Sequence, residues 1–199
     1  MFNFFKKFKK DKKLNRGMTY VELIVVLSIF AVMSSIVLFN YGKFQAKVDI
    51  KNLANDIALK IVQAQKDAMS GKLPTDGSTF LVSPSYGVYF DLTTPKSFIY
   101  FTNLDSGNFY DFSDAWDTIT ITKNSIISGL EVVGCPSINN LSIVFRRPDS
   151  SALINNSTGT FSCSSIEYAQ VTISSSDNSA KECIRIYPSG RIQISECPV

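Results

Sequence analysis

Glu22 is the residue whose type and position point most clearly to chemistry. It stands directly before an uncharged, mostly apolar stretch, residues 23–39, and no charge follows until Lys43. A carboxylate at the centre of a membrane costs about 2.5 to 3.5 kcal/mol, and less near the interface. We therefore expect Glu22 to have a cationic partner, so this position predicts a desolvated ion pair.

A basic leader precedes the apolar stretch. Residues 1–17 hold six lysines and one arginine against one acid, and the remaining 13 basic and 16 acidic residues give a formal net charge of −3 instead of +3. Such a block beside a membrane segment is typical of a cytoplasmic anchor, as the positive-inside rule describes. We favour this interpretation over a polybasic patch that binds nucleic acid. The stretch is long enough to span a bilayer, and no Ala-x-Ala-like site follows it, so it differs from a cleaved secretory signal.

The membrane segment is expected to continue into an amphipathic helix. Apolar residues recur after it at steps of three and four, at Ile50, Leu53, Ile57, Ile61, Ala64 and Ala68. This spacing predicts a helix that packs one face against another element. No proline interrupts residues 20–72, and Gly71 followed by Pro74 predicts the stop. We therefore predict one helix from about Tyr20 to Met69, with a transmembrane part at about 20–41.

The rest of the chain has the pattern of β structure. Short runs rich in β-branched and aromatic residues alternate with turn formers and predict strands at 86–92, 97–103, 118–122, 130–133, 142–146, 170–174, 183–187 and 191–195. The connections are too short for helical crossovers, so the strands should be antiparallel. The predicted fold class is α+β, with a leader at 1–17, a long helix at 18–72 and an antiparallel, sandwich-like β domain at 73–199.

The four cysteines of the chain all lie in the predicted β domain. In an exported domain, an even number predicts up to two disulfides, with three connectivities. Cys183 and Cys197 share one face of the last hairpin if its turn centres near Ser189, so we favour this pair, together with Cys135 and Cys163. Free thiols are the alternative, and a metal site is disfavoured because the chain has no histidine and no closely spaced cysteine pair.

No residue pattern predicts catalysis or a cofactor. The chain has no histidine, no nucleotide-binding loop and no nucleophile–base arrangement, so we expect no enzymatic activity and no small-molecule substrate. The candidate for a hard cation such as Ca²⁺ is the set Asp105, Asn108, Asp111 and Asp114. Its spacing differs from that of an EF-hand, so we favour a solvated turn.

The segment 16–23, RGMTYVEL, resembles the class III leader of type IV pilins and pseudopilins. The resemblance implies that a prepilin peptidase cuts after Gly17 and that the new amino group of Met18 is N-methylated. It also implies that Glu22 pairs with the amino group of a neighbouring subunit, in the membrane or in a filament. The segment departs mildly from the family pattern at two positions. Met18 stands where Phe is usual, and Tyr20 stands where an aliphatic residue is usual.

Later segments are similar to those of GspH/FimT-type minor pseudopilins and minor pilins, namely 86–91 (YGVYFD), 105–111 (DSGNFYD) and 189–194 (SGRIQI). The similarity implies a structural subunit with one membrane pass, an exported β-sandwich packed on the helix, and other pilin subunits as partners. It does not distinguish a type IV pilus, a competence pseudopilus and a type II secretion pseudopilus. Some FimT-like proteins serve DNA uptake, for which Lys181, Arg185 and Arg191 are the candidate contacts. A DNA-binding or adhesive minor pilin and an unprocessed, signal-anchored surface protein are the alternatives.

Overall fold

The computed structural model describes residues 17–73, 84–105, 107–135, 137–159 and 165–197. These ranges form one helix, α1 (Tyr20–Ser70), and nine strands: β1 (Ser85–Asp91), β2 (Ser97–Asn103), β3 (Ala115–Thr120), β4 (Ser125–Val132), β5 (Asn140–Arg146), β6 (Asp149–Asn155), β7 (Ala169–Ser175), β8 (Lys181–Ile186) and β9 (Ile192–Ser195). The chain divides into two compact units, Met1–Gly42 and Lys43–Val199. The boundary falls inside α1, so the second half of the helix belongs to the same unit as the strands.

In the first unit, α1 is apolar on every side. Nearly every side chain between positions 20 and 38 is exposed. An 18-residue window of this helix has a mean hydropathy of 2.6, and none of it is buried. By length and composition, α1 could therefore cross a membrane. A helix that is hydrophobic all round needs an apolar environment, whereas an amphipathic helix needs one only on one face.

The C-terminal end of α1 is set by Gly71. This glycine has a φ of +62°, a conformation that costs little without a Cβ. The Gly71 N–H donates to the Ala68 carbonyl (3.2 Å), and the Lys72 N–H donates to the Asp67 carbonyl (3.2 Å). These two bonds form a Schellman motif, which satisfies carbonyls at the end of the helix. The helix therefore ends at Ser70, one residue beyond the predicted end at Met69.

The strands form two antiparallel sheets, one of five strands in the order β3-β2-β1-β5-β6 and one of four in the order β4-β7-β8-β9. β1 is central in the larger sheet, where Gly87 pairs with Phe101 of β2 and with Val144 of β5. The Phe101 ring and the Ile143 carbonyl occupy the space that a Cβ on Gly87 would need. The α+β class and the antiparallel pairing predicted from the sequence are confirmed.

In the second unit, α1 packs an apolar stripe against both sheets. The fully buried stripe residues are Ile50, Ala54, Ile57, Ile61, Ala64 and Ala68. They form one core with inward side chains of the strands, among them Phe90 and Ile184. Leu53, the remaining predicted member, is partly buried and packs against this core, whereas Ala54, which the prediction omitted, is fully buried. At about 100° per residue, Ala54 lies closer than Leu53 to the line through the other members.

Hydrogen bonds also fasten α1 to the strands. The Tyr100 hydroxyl donates to the Asp67 carboxylate (2.7 Å), and the Gln65 amide donates to the carbonyls of Ser150 (2.9 Å) and Gly190 (3.2 Å). Burial acts to raise the pKa of Asp67, but hydrogen bonds, first that from Tyr100, hold it below its usual value. Burial, and then the hydrogen bond to the Asp67 carboxylate, raise the pKa of Tyr100. The pair therefore favours an ionised Asp67 beside a neutral tyrosine.

Some predicted strand bounds were wrong. β3 begins at Ala115 and ends before position 122, and β4 begins at Ser125 instead of 130. β6 is absent from the predicted set, because Asp149, Ser150 and Ser151 are turn formers. Pairing along β5 overrides that weak local preference, as tertiary context often does for edge strands.

Candidate processing and assembly site

The peptide bond between Gly17 and Met18 lies in an exposed segment. Gly17, Met18 and Thr19 precede α1 and have no regular secondary structure. Met18 is 61% exposed. No described residue beyond the chain neighbours comes within 4 Å of the place where a Cβ on Gly17 would stand. Proteolysis favours exposed segments with small residues, and this bond lies in such a segment.

Thr19 caps α1 and fixes the position of Glu22. The Glu22 N–H donates to Thr19 Oγ1 (3.3 Å), and the Leu23 N–H donates to the Thr19 carbonyl (3.1 Å). Thr19 is therefore the N-cap and Glu22 the third helical residue, which is the spacing of a capping box. The carboxylate lies in the first turn, where the helix dipole favours negative charge. The sequence analysis missed this cap, although the Thr-x-x-Glu spacing is visible in the sequence.

Glu22 has no cationic partner in the part of the chain that the structure describes. The ion pairs formed there are Lys72–Asp67 (3.0 Å) and Lys123–Asp49 (2.6 Å), both in the second unit. The Glu22 side chain is exposed beside the apolar surface of α1. If that surface is covered by lipid or protein, the carboxylate loses water and requires a cation.

The last hairpin is closed by a disulfide. Cys183 on β8 and Cys197 after β9 are bonded, with Cα atoms 5.0 Å apart, and this is the pair favoured from the sequence. Cys135 is also disulfide-bonded, but Cys163, its expected partner, lies outside the described residues. The free-thiol alternative is wrong for the three described cysteines. Such bonds persist in oxidising compartments.

Arg185 and Arg191 come together through two tyrosines. The Arg185 guanidinium lies 5.2 Å from the centre of the Tyr168 ring, and that of Arg191 lies 3.9 Å from the centre of the Tyr187 ring. The two rings are 5.6 Å apart. Lys181 is exposed at the start of β8, about 13 Å along the strand from Arg185. Sequence reasoning identified the arginines but missed the tyrosines that orient them.

The acidic residues between β2 and β3 stabilise a loop. Asp105 accepts a hydrogen bond from the Gly107 N–H (2.8 Å), and Asp114 accepts one from the Asp111 N–H (2.7 Å). Burial raises the pKa of Asp114 to about 6 despite that bond. No group of three or more His, Cys, Asp or Glu side chains among the described residues could hold a metal ion. The geometry therefore does not support the calcium candidate, which also included Asn108.

We compared the chain with protein-family models, curated proteins and solved structures. None of them matched. The features that bear on function are therefore those of the chain itself: an exposed Gly17–Met18 bond, a capped Glu22 without a cationic partner among the described residues, and a helix that is apolar on all sides.

Proposed function

We propose that this protein is a structural, non-enzymatic pilin-like subunit that is cut after Gly17 and assembles through α1 into a filament. The filament would be a type IV pilus, a competence pseudopilus or a type II secretion pseudopilus. The observation that carries the proposal is Glu22, a carboxylate that forms no ion pair with any described residue and lies in the first turn of an all-round apolar helix, four residues after Met18. Before assembly, the subunit is a single-pass membrane protein with its C-terminal unit exported.

Cleavage after Gly17 would supply a cation for Glu22, which has none among the residues that the structure describes. It creates an α-amino group on Met18, which carries a positive charge below its pKa of about 8. N-methylation of this amine would keep its charge. Breaking a buried pair by removing one partner costs about 3 to 5 kcal/mol, because the other charge stays uncompensated. A Met18 amine from one copy beside Glu22 of the next therefore favours the assembled state.

The apolar surface of α1 supports the same conclusion. Side chains on all sides of the helix between Leu23 and Leu38 are about half exposed or more, for example Phe30 at 68%. Exposed apolar surfaces of this extent mark membrane contacts or protein interfaces. Lipid covers the helix before assembly, and the helices of other subunits cover it in the filament. Glu22 thus remains desolvated in both states and gains a cation in the second.

Cleavage is tested by expressing the full chain with and without a prepilin peptidase and measuring the intact mass and the N-terminal sequence. We expect a peptidase-dependent loss of residues 1–17, with Met18 at the terminus. Gly17→Val is the matched variant, because the space around Gly17 is open and the described structure can accept the side chain. This variant should stay uncut. A wild-type chain that stays uncut would contradict the proposal and favour a signal-anchored surface protein.

DNA binding by the same subunit is a second candidate function, favoured by the Arg185–Arg191 cluster. Stacking on tyrosines holds two guanidinium groups on one surface, where they can contact phosphates. Changing both arginines to Gln should abolish salt-sensitive DNA binding. The double variant Lys66→Gln/Lys96→Gln removes the same charge elsewhere and should retain most binding. A wild-type protein that does not bind DNA at low salt would exclude this function.

A further inference from the structure

The second unit has an open cavity of about 550 Å³ at the end of the last hairpin. The start of β8 and the residues after β9 form one side of this cavity, and α1 forms the other with Lys47 and Ile50. Ile50 and Ala180 contribute apolar side chains to its wall. The cavity is large enough for a small organic molecule, since ligand sites in proteins have volumes of about 300 to 1,000 Å³.

Glu182 is the residue that marks this cavity as a binding site. It lies on β8 at alternate positions with Ile184 and Ile186, which are core residues, so its side chain points to the same inner face of the sheet. Glu182 is only 8% exposed. Its carboxylate forms no ion pair and no side-chain hydrogen bond with any described residue. A carboxylate buried to this extent requires a cation or hydrogen-bond donors, and the cavity is where a ligand can supply them.

Three more charged residues line the cavity, namely Lys47, Lys181 and Glu196, and all three are exposed. Neither lysine pairs with Glu182 or Glu196, because both ion pairs of the described chain lie elsewhere. Lys181 directly precedes Glu182 on the strand, where successive side chains point to opposite faces, so its ammonium group is directed away from that carboxylate. The cavity therefore presents two carboxylates and two ammonium groups that do not neutralise one another. A ligand that carries both signs of charge complements this arrangement.

We propose that this cavity binds a small zwitterion, an amino acid with an apolar side chain, whose ammonium group contacts Glu182 and whose carboxylate contacts Lys47. Hydrogen bonds between charged groups are short and strong, so each end of the ligand gains a specific contact. Glu196 adds a second negative charge on the hairpin side, and the apolar side chain of the ligand packs against Ile50 and Ala180. None of these residues belongs to the processing site, so binding is independent of cleavage after Gly17 and of filament assembly.

Binding is tested by titration calorimetry on the full chain in micelles of an uncharged detergent, with L-leucine as the probe. Leucinamide lacks the carboxylate and 4-methylpentanoate lacks the ammonium group, so each analogue removes one of the proposed contacts. We expect saturable binding of leucine with a dissociation constant of roughly 1 mM or below, and roughly tenfold weaker binding of each analogue. Absence of saturable leucine binding, or equal binding of all three compounds, would overturn the proposal.

Substitutions locate the two ends of the ligand. Glu182→Gln keeps the size of the side chain and should weaken leucine binding roughly tenfold, whereas Glu167→Gln, at an exposed position outside the cavity, should not. Lys47→Gln should weaken the binding of leucine but not that of leucinamide.

The stability of the ligand-free chain separates a binding role of Glu182 from a structural one. Glu182→Gln should leave the midpoint of chemical unfolding unchanged or raise it, because the substitution removes a buried charge that has no partner among the described residues. A lower midpoint would show that Glu182 stabilises the fold through a cation of the chain itself. That result, or undiminished leucine binding by Glu182→Gln, would refute the assigned site.

Discussion

Replacing Glu22 with Gln separates two roles of this residue. Within one chain, Glu22 interacts with the N-terminus of α1, which is worth about 0.3 to 1 kcal/mol. As the partner of a Met18 amine in another copy, the same charge would be worth about 3 to 5 kcal/mol. Gln keeps the size of the side chain and can still serve in a capping box. Glu22→Gln therefore removes the intermolecular charge and leaves the helix in place.

The expected magnitude follows from these two terms. A loss of about 3 to 5 kcal/mol lowers the assembly equilibrium by about 10² to 10⁴-fold. Thr19→Ala is the matched change, because it removes the oxygen that accepts the Glu22 N–H and keeps the charge. Loss of an N-cap costs about 1 kcal/mol, which corresponds to about a fivefold effect. The charge variant should thus be at least an order of magnitude more defective than the cap variant.

The assay measures the fraction of cleaved chain that sediments as filaments after detergent extraction, with a prepilin peptidase present. N-terminal sequencing confirms that each variant begins at Met18, and circular dichroism confirms that each keeps its helix. The reasoning would be refuted if cleaved Glu22→Gln assembled within about fivefold of wild type. Equal defects in Glu22→Gln and Thr19→Ala would show that only helix capping matters.

The second unit offers three further tests, each read from chemical unfolding of the full chain. Ile61→Ala should lower the free energy of unfolding by about 2 to 5 kcal/mol, while its exposed neighbour Val62→Ala should cost less than about 1; equal losses would contradict the assigned core. Because the pKa of Asp67 is lowered in the folded state, its contribution is present above about pH 4 and is lost as the pH falls below that value. Tyr100→Phe should reduce this loss of stability at acid pH, and an unchanged pH dependence would exclude the hydrogen bond as its cause. Gln65→Ala should cost about 0.5 to 1.5 kcal/mol, because water can reach one of the two carbonyls that lose their donor; a neutral substitution would show that water replaces the amide at both.

The fold could be predicted best where its signals are local. The period of the apolar residues and the Gly71 stop locate α1 to within one residue of its end. β2 was predicted with its observed bounds because turn formers flank a run of aromatic and β-branched residues. β6 could not be predicted, because its strand conformation depends on pairing with β5 and not on its own composition.

The candidate site shows the same division. Gly17, Met18 and Glu22 could be identified because all three lie in one short segment, and the cap at Thr19 was visible in that segment too. The Tyr168 ring beside the Arg185 guanidinium lies 17 positions away in the chain. Such a contact depends on strand register, which local patterns do not specify.

The pairing of Glu22 with a neighbouring Met18 amine is tested most directly by treating assembled filaments with a carbodiimide. This reagent joins a carboxylate to an adjacent primary or secondary amine, forming an amide with loss of water, so an N-methylated Met18 can still react. Filaments built from labelled and unlabelled copies should yield a mixed-label peptide in which Glu22 of one copy is bonded to Met18 of another. Filaments of cleaved subunits that yield no such peptide would contradict the assembly mechanism.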